Sequence, residues 1–442
     1  MTGRPSFAEA VRVFLRIGLL SFGGPAGQIA TMHRILVDEK KWIGEARFLH
    51  ALNYCMLLPG PEAQQLATYV GWILHRTKGG LAAGLLFVLP GFLVMLGLAA
   101  LYAGLNDVTL VQGVFFGLKP AVLAVVVEAS LRIGRRALKA RIMVAIAAAA
   151  FAALFLFGVP FPAVVAAAGL FGLWAGRAGH PAFRPGIAGS GAGAADQILD
   201  SDEAHLRPRP AATVRTVALW LAIWAAPVVA ALMAGEGAFG AVGLFFSKMA
   251  VVTFGGAYAV LAYVAQQAVE VHGWLTPGEM LDGLGLAETT PGPLILVNQF
   301  VGFLAGMRDP GGLGPWPGAV AGAVLTVWVT FAPSFLWIFA GAPYVEAVRG
   351  NRALAGALAA ITAAVVGVIL NLAVWFGLHV AFARVGEAAA GPLRVAMPDW
   401  SSLDPVAVAL GVAAMVAMLR FKLGMLPVLA GSALLGLAWT VF

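Results

Sequence analysis

The feature that most limits how this chain can fold is a series of apolar runs too long for the elements of a soluble core. Residues 82–105, 110–130, 142–157, 160–175, 214–233 and 403–419 are dominated by aliphatic and aromatic side chains, and they approach the ~20 residues that cross a hydrocarbon layer as helix. Composition agrees. Of 442 residues, 61% are hydrophobic and 11% charged, with a mean hydropathy of +0.89, whereas soluble domains carry roughly 25% charged residues. The expected fold class is an all-α polytopic membrane protein, with no room for a soluble catalytic domain. Residues 1–16 are interrupted by Arg4, Glu9, Arg12 and Arg16, unlike a cleavable secretory signal, so a retained, cytoplasmic N-terminus is expected. Cys55 is the single cysteine, which excludes an intramolecular disulfide and a thiolate metal cluster. The formal charge of +7 lies in short loops between apolar runs, where basic residues bias membrane orientation rather than bind nucleic acid.

Glycine and proline interrupt the apolar sequence in a pattern that occurs twice. Phe22-Gly23-Gly24 is matched by Phe254-Gly255-Gly256, Trp42 by Trp274, Pro59-Gly60-Pro61 by Pro291-Gly292-Pro293, and Ser21 by Thr253, all at one shift of 232 positions. The match resumes, after a longer loop in the second copy, with LPGF at 89–92 beside APSF at 332–335. The chain therefore reads as two homologous halves, 1–176 and 214–442, joined by a cytoplasmic linker, 177–213, rich in Gly, Pro and charge. The linker's GSGAGA has no preceding strand and no following Gly-Lys-Ser/Thr, so it is not a phosphate loop. The runs separating the two FGG/PGP hairpins, 82–105, 110–130, 142–157, 160–175 and 214–233, are odd in number. The second half is thus expected to enter the membrane inverted, as in many secondary transporters. Arg132, Arg135, Arg136, Lys139 and Arg141 would then be cytoplasmic. The loop 34–47 is basic and the equivalent 269–278 has no Lys or Arg, which favours broken segments that enter and return, the basic loop inside and the neutral one outside.

Helix breakers at membrane depth free backbone N–H and C=O groups, at a cost of several kcal/mol each unless protein, water or ligand satisfies them. Such breaks mark a cavity. A helix starting near Gly24 or Pro61 aims its free N–H groups and partial positive charge at the break, which suits an anion. The candidate substrate-binding set is Ser21, Gly23, Gly24, Pro59, Gly60 and Pro61, with their counterparts Thr253, Gly255, Gly256, Pro291, Gly292 and Pro293; simple close packing of helices is the alternative for the glycines. Arg16 and Lys248 each lie six residues before their Phe-Gly-Gly and either neutralise a dianion together or snorkel to the two membrane surfaces. Gln64, Gln65, Thr68, Asn298 and Gln299 supply hydrogen bonds to substrate or to broken backbone. Glu62 is the candidate proton-coupling group, since a carboxylate in a low-dielectric cavity can exchange a proton, with capping of its own helix as the alternative. Glu288 and Glu128 are further intramembrane carboxylates, and Lys119-Pro120 reads as a kink or a charge partner for Glu128. The histidines show no metal-ligand spacing and no nucleophile elbow is evident, so neither an enzyme, a metal site nor a cofactor is expected.

The stretches SFGGPAGQIATMHRILVDEKKW and LPGPEAQQLATYVGW, with TFGGAYAVLAYV and TTPGPLILVNQFVGF in the second half, resemble the chromate ion transporter family in its long, two-domain form. The resemblance covers nearly the whole chain. It implies export of chromate from the bacterial cytoplasm across the inner membrane, driven by the proton-motive force, with sulfate as the close competitor; a carrier or channel for sulfate or another anion is the alternative. The motif residues it carries over are 21–25, 59–65, 253–256 and 291–293. The second half departs from it where Pro25 has no proline counterpart and where Leu294 replaces Glu62. The expected partners are chromate and the lipid bilayer, with a homodimer left open and no nucleic acid.

Overall fold

The structure is a computed structural model, which describes residues 5–22, 24–105, 108–183, 210–254, 257–344 and 351–442. Gly23, Gly255 and Gly256 of the candidate set, and most of the linker 177–213, lie outside the described residues. The described part is almost entirely helical. The first half comprises α1 (Phe7–Leu20), α2 (Gly24–His33), α3 (Glu45–Cys55), α4 (Glu62–Leu105), α5 (Thr109–Ala137), α6 (Arg141–Phe155) and α7 (Phe161–Arg177). After α8 (Pro210–Ala234) the second half runs α9 (Phe239–Val252), α10 (Ala257–Gln266), α11 (Pro277–Thr289), α12 (Val297–Arg308), α13 (Pro315–Gly341), α14 (Arg352–Ala381), α15 (Pro405–Leu419) and α16 (Met425–Val441).

The two halves repeat element by element. A π-helical turn follows α2 at Arg34–Glu39, and another follows α10 at Gln267–Val271. The first helix of each half stops for the same local reason: Ser21 Oγ donates to the Ile17 carbonyl and Thr253 Oγ1 to the Met249 carbonyl, both at 2.6 Å, so the side chain takes an acceptor that the helix ladder would otherwise continue from. Helix α4 is two arms, because His75 (φ −137°) and Arg76 (φ 54°) break it. The arms correspond to α12 and α13. Gly71 and Gly79 let the two arms touch backbone to backbone, and Gly306 and Gly318 do the same between α12 and α13.

Among the described residues, five helices are long and apolar enough to span a membrane: α4, α5, α8, α13 and α14. Helix α8 buries only 6% of its most apolar window, leaving residues such as Leu219, Leu221 and Met233 facing outward, which is favourable only in a hydrocarbon solvent. The chain is a multi-pass membrane protein.

Contacts divide the chain into two units. One consists of residues 1–97, 186–257 and 290–349, the other of 98–185, 258–289 and 350–442. Each contains parts of both halves. In the second unit the halves exchange helices: α5 packs on α15 and α16, while α14 packs on α6 and α7. Small residues permit the approach, with Gly117 against Ser432 and Gly436, and Gly172 and Gly176 against Gly356. A two-stranded antiparallel hairpin joins α14 to α15, with β1 (Val385–Ala390) paired to β2 (Leu393–Pro398) in the register Val385 opposite Pro398. The sequence reading did not anticipate it. Its Arg394 N–H donates to the Leu156 carbonyl at 2.7 Å, tying it to the end of α6.

Candidate functional site

The two PGP motifs lie in the first unit, and each is bonded to the helix break of the other half. Gly60 N–H donates to the Thr253 carbonyl at 2.8 Å, and Gly292 N–H donates to the Ser21 carbonyl at 2.7 Å. Gly60 is the repeat counterpart of Gly292, and Ser21 of Thr253, so the two bonds are one interaction made twice with the halves exchanged. Glycine is required at both places. Gly60 has φ 116° and Gly292 has φ 93°, a region that side chains disfavour, and a Cβ on Gly60 would stand 2.9 Å from Gln65 Nε2. The flanking prolines cannot donate and leave the glycine N–H as the motif's donor.

Between these crossings lies a cavity of about 20 Å³, room for roughly one water. Pro25, Gln28, Gly60, Pro61, Glu62, Ala63, Thr253, Pro293, Leu294 and Ile295 line it. Helix α4 starts at Glu62, and the 3₁₀ turn Leu294–Leu296 leads into α12; both starts therefore face the cavity and bring unpaired N–H groups and partial positive charge to it. Gln28, which the sequence reading passed over, donates to the Gly292 carbonyl at 2.6 Å.

Four carboxamides follow the motifs, and all are buried. Gln64 Nε2 donates to Thr68 Oγ1 at 3.2 Å, Gln65 Nε2 to the Pro59 carbonyl at 2.7 Å, and Gln299 Nε2 to the Phe92 carbonyl at 2.9 Å. Their Oε1 atoms have no partner among the described residues, and Asn298 has none there at either Nδ2 or Oδ1. Each orphan of this kind costs about 1–3 kcal/mol, so the fold alone gives no reason to keep Asn298.

The charged candidates sit elsewhere. Arg16 is half exposed and pairs with Glu39 at 3.0 Å, and Lys248 is exposed on α9; neither lines the cavity. Glu62 does line it. Its carboxylate makes no hydrogen bond or ion pair among the described residues, so it opens α4 without capping it. Lys119 pairs not with Glu128, as the sequence suggested, but with Asp282 of α11 at 3.4 Å. The reason is angular: nine residues along a helix place Lys119 and Glu128 on opposite faces, and Glu128 instead takes Arg132, one turn on, at 3.2 Å. Asp282 also accepts from Tyr102 at 3.0 Å, and Glu288 accepts from Tyr258 at 2.7 Å. These second-unit acids are buried.

Comparison with known proteins identifies the family. The chromate transporter family matches residues 8–173 and 240–437, one match per half. A chromate transport protein of Pseudomonas aeruginosa is 33% identical over 368 residues, covering 82% of this chain and 79% of that protein. One from Cupriavidus metallidurans is 29% identical over 364 residues, covering 82% and 80%. An uncharacterized transporter of Bacillus subtilis, YwrB, is 31% identical over 133 residues, which is 30% of this chain and 68% of that protein. No solved structure matches. With both halves matched and a relative aligned over four-fifths of its length, the chain belongs to the chromate transporter family, a family of transporters and not of enzymes.

Proposed function

We propose that the protein exports chromate from the bacterial cytoplasm by alternating access, with the cavity between the two PGP crossings as the substrate site. The observation that carries this reading is the pair of helix starts that aim N–H groups at one small space, with Asn298, whose buried Nδ2 is a donor without an acceptor among the described residues, in the first turn of α12. A tetrahedral dianion would accept from such donors without needing a full counter-charge. At about 20 Å³ the cavity is smaller than that solute, so loading would require the crossings to part. The two halves, inverted in the membrane, would exchange roles as the site opens to either side. Glu62, the one carboxylate in the cavity lining, would exchange a proton during the transport cycle, coupling export to the proton gradient. Arg16 and Lys248, at exposed positions on equivalent helices, would attract the anion toward the site from either face.

Uptake of radiolabelled chromate and sulfate into inverted membrane vesicles tests the reading. Expected is accumulation of chromate that a proton gradient drives, a protonophore abolishes and excess sulfate slows. Uptake of sulfate without chromate would assign the carrier to another anion, and chromate uptake indifferent to the protonophore would remove Glu62 from its coupling role.

A further inference from the structure

A second cavity, away from the crossings, lies in the second unit, where the C-terminal ends of α5 and α15 meet. It measures about 430 Å³ and is lined by Glu128, Leu131, Arg132, Arg135, Arg136, Met418, Leu419, Lys422 and Leu423. Arg132 is neutralised by Glu128 at 3.2 Å. Arg135, Arg136 and Lys422 make no hydrogen bond or ion pair among the described residues. The four cations and one carboxylate leave the lining with a net +3.

The simplest reading of such cations is that they complement the negative ends of the two helices. That reading accounts for part of the charge only: two helix ends supply roughly −0.5 each, leaving about +2. Backbone conformation gives a second argument. Lys422 has φ 55°, a left-handed position that glycine or asparagine fills at a helix C-terminus with less strain. It is held there by Leu423 N–H donating to the Ala417 carbonyl at 3.1 Å, in a turn whose Lys422 contributes a cation to the cavity. Finally, the cations are interleaved with outward apolar side chains: Leu131, Leu419 and Leu423 line the cavity, and Phe421 stands 69% exposed beside it. A free inorganic anion has no use for that apolar rim. An amphiphile does.

We propose that this cavity binds an anionic phospholipid, its phosphates on Arg135, Arg136 and Lys422 and its acyl chains along Leu131, Leu419 and Leu423. The size falls in the usual range for ligand sites, and the residual charge of about +2 best matches a headgroup with two phosphates. By the distribution of Lys and Arg the site belongs to the cytoplasmic leaflet, where basic pockets between helices meet such headgroups. The inference is independent of what the protein transports.

The test uses the purified full-length protein in a zwitterionic detergent and reads the midpoint of heat denaturation, because a ligand of the folded state raises it by mass action. Diphosphatidylglycerol is expected to raise the midpoint saturably, phosphatidylglycerol to do so at higher concentration, and phosphatidylcholine or inorganic phosphate not to do so over the same range. The combined variant Arg135→Gln/Arg136→Gln/Lys422→Gln should need at least about tenfold more diphosphatidylglycerol for the same shift, and Lys422→Gln alone, on an exposed turn where folding is not at risk, about threefold more. Equal protection by phosphatidylcholine, equal protection by inorganic phosphate, or parent-like protection of Lys422→Gln would each overturn the assignment; the second of these would indicate a free-oxyanion site instead. No readout involves chromate, so this result and the transport result stand or fall separately.

Discussion

The segments 24–55 and 257–289 follow the same path through helix, π-turn and helix, yet they handle charge in opposite ways. In the first copy the polar groups lie at the surface and pair there, with each other or with α1: Glu39 with Arg16 at 3.0 Å, Lys40 with Glu9 at 2.9 Å, and the His33 ring with Glu45. Helix α3 buries one face only, through Phe48, Ala51, Tyr54 and Cys55. Residues 257–289 contain no Lys or Arg. Helix α11 is buried on every side from Met280 to Glu288, and it takes Asp282 and Glu288 inside with it, onto Lys119, Tyr102 and Tyr258. Duplication thus preserved the backbone bonds of the crossings while the helices around them diverged. The lesson is that the symmetric part of the molecule is the part we assign to the substrate, and the asymmetric part is free to give the two halves different duties.

The comparison is broken or sharpened most completely by topology. In a Cys55→Ser background, single cysteines placed in loop 34–47 and in loop 269–278 should react with an impermeant thiol reagent from opposite sides of the membrane, the first from the cytoplasm. Labelling of both from one side would show that the halves are not inverted. Next in size is the pair of Lys119, about a third exposed, with the buried Asp282. Asp282→Ala leaves Lys119 without its carboxylate and should destabilise the protein by about 3 kcal/mol, read as a lower denaturation midpoint in detergent, with Lys119→Met partly restoring it. Smaller, and equal in the two halves, should be Gly60→Ala and Gly292→Ala, each costing about 1–3 kcal/mol for a side chain held at positive φ; a large effect in one and none in the other would deny that the two crossings are equivalent. Smallest is Arg16→Gln. An exposed pair contributes under about 1 kcal/mol, so stability should hardly change, and any fall in apparent chromate affinity should vanish at high salt.

Much of this was legible in the sequence because breakers are local. Pro59, Gly60 and Pro61 end one helix and start the next wherever the chain goes, and the shared shift of 232 positions in the repeat already paired Gly60 with Gly292 and Ser21 with Thr253. What escaped were contacts between residues remote along the chain. Gln28 reaches Gly292, but its own repeat counterpart is Val260, so the duplication gives no hint of its role. Lys119 has a nearby acid on its own helix, and only the fold reveals that Asp282, on another helix, is the one that meets it. The turn within α4 was hidden for a different reason: His75 and Arg76 are not turn-forming residues, and the reversal is made possible by glycines four and three positions away, Gly71 and Gly79, acting through packing.

The most direct test is the response of Asn298→Leu to chromate. Asn298 is 1% exposed and has no partner for either amide atom among the described residues, so replacing it with an apolar side chain of the same branching removes two orphaned polar atoms and should lower the ligand-free denaturation midpoint by no more than the packing of its larger methyl groups costs. If Asn298 Nδ2 donates to the oxyanion, the chromate concentration needed to protect the purified variant against heat should rise about tenfold or more. Protection at the parent's chromate concentration, with the fold intact, would contradict the placement of the substrate between the two crossings.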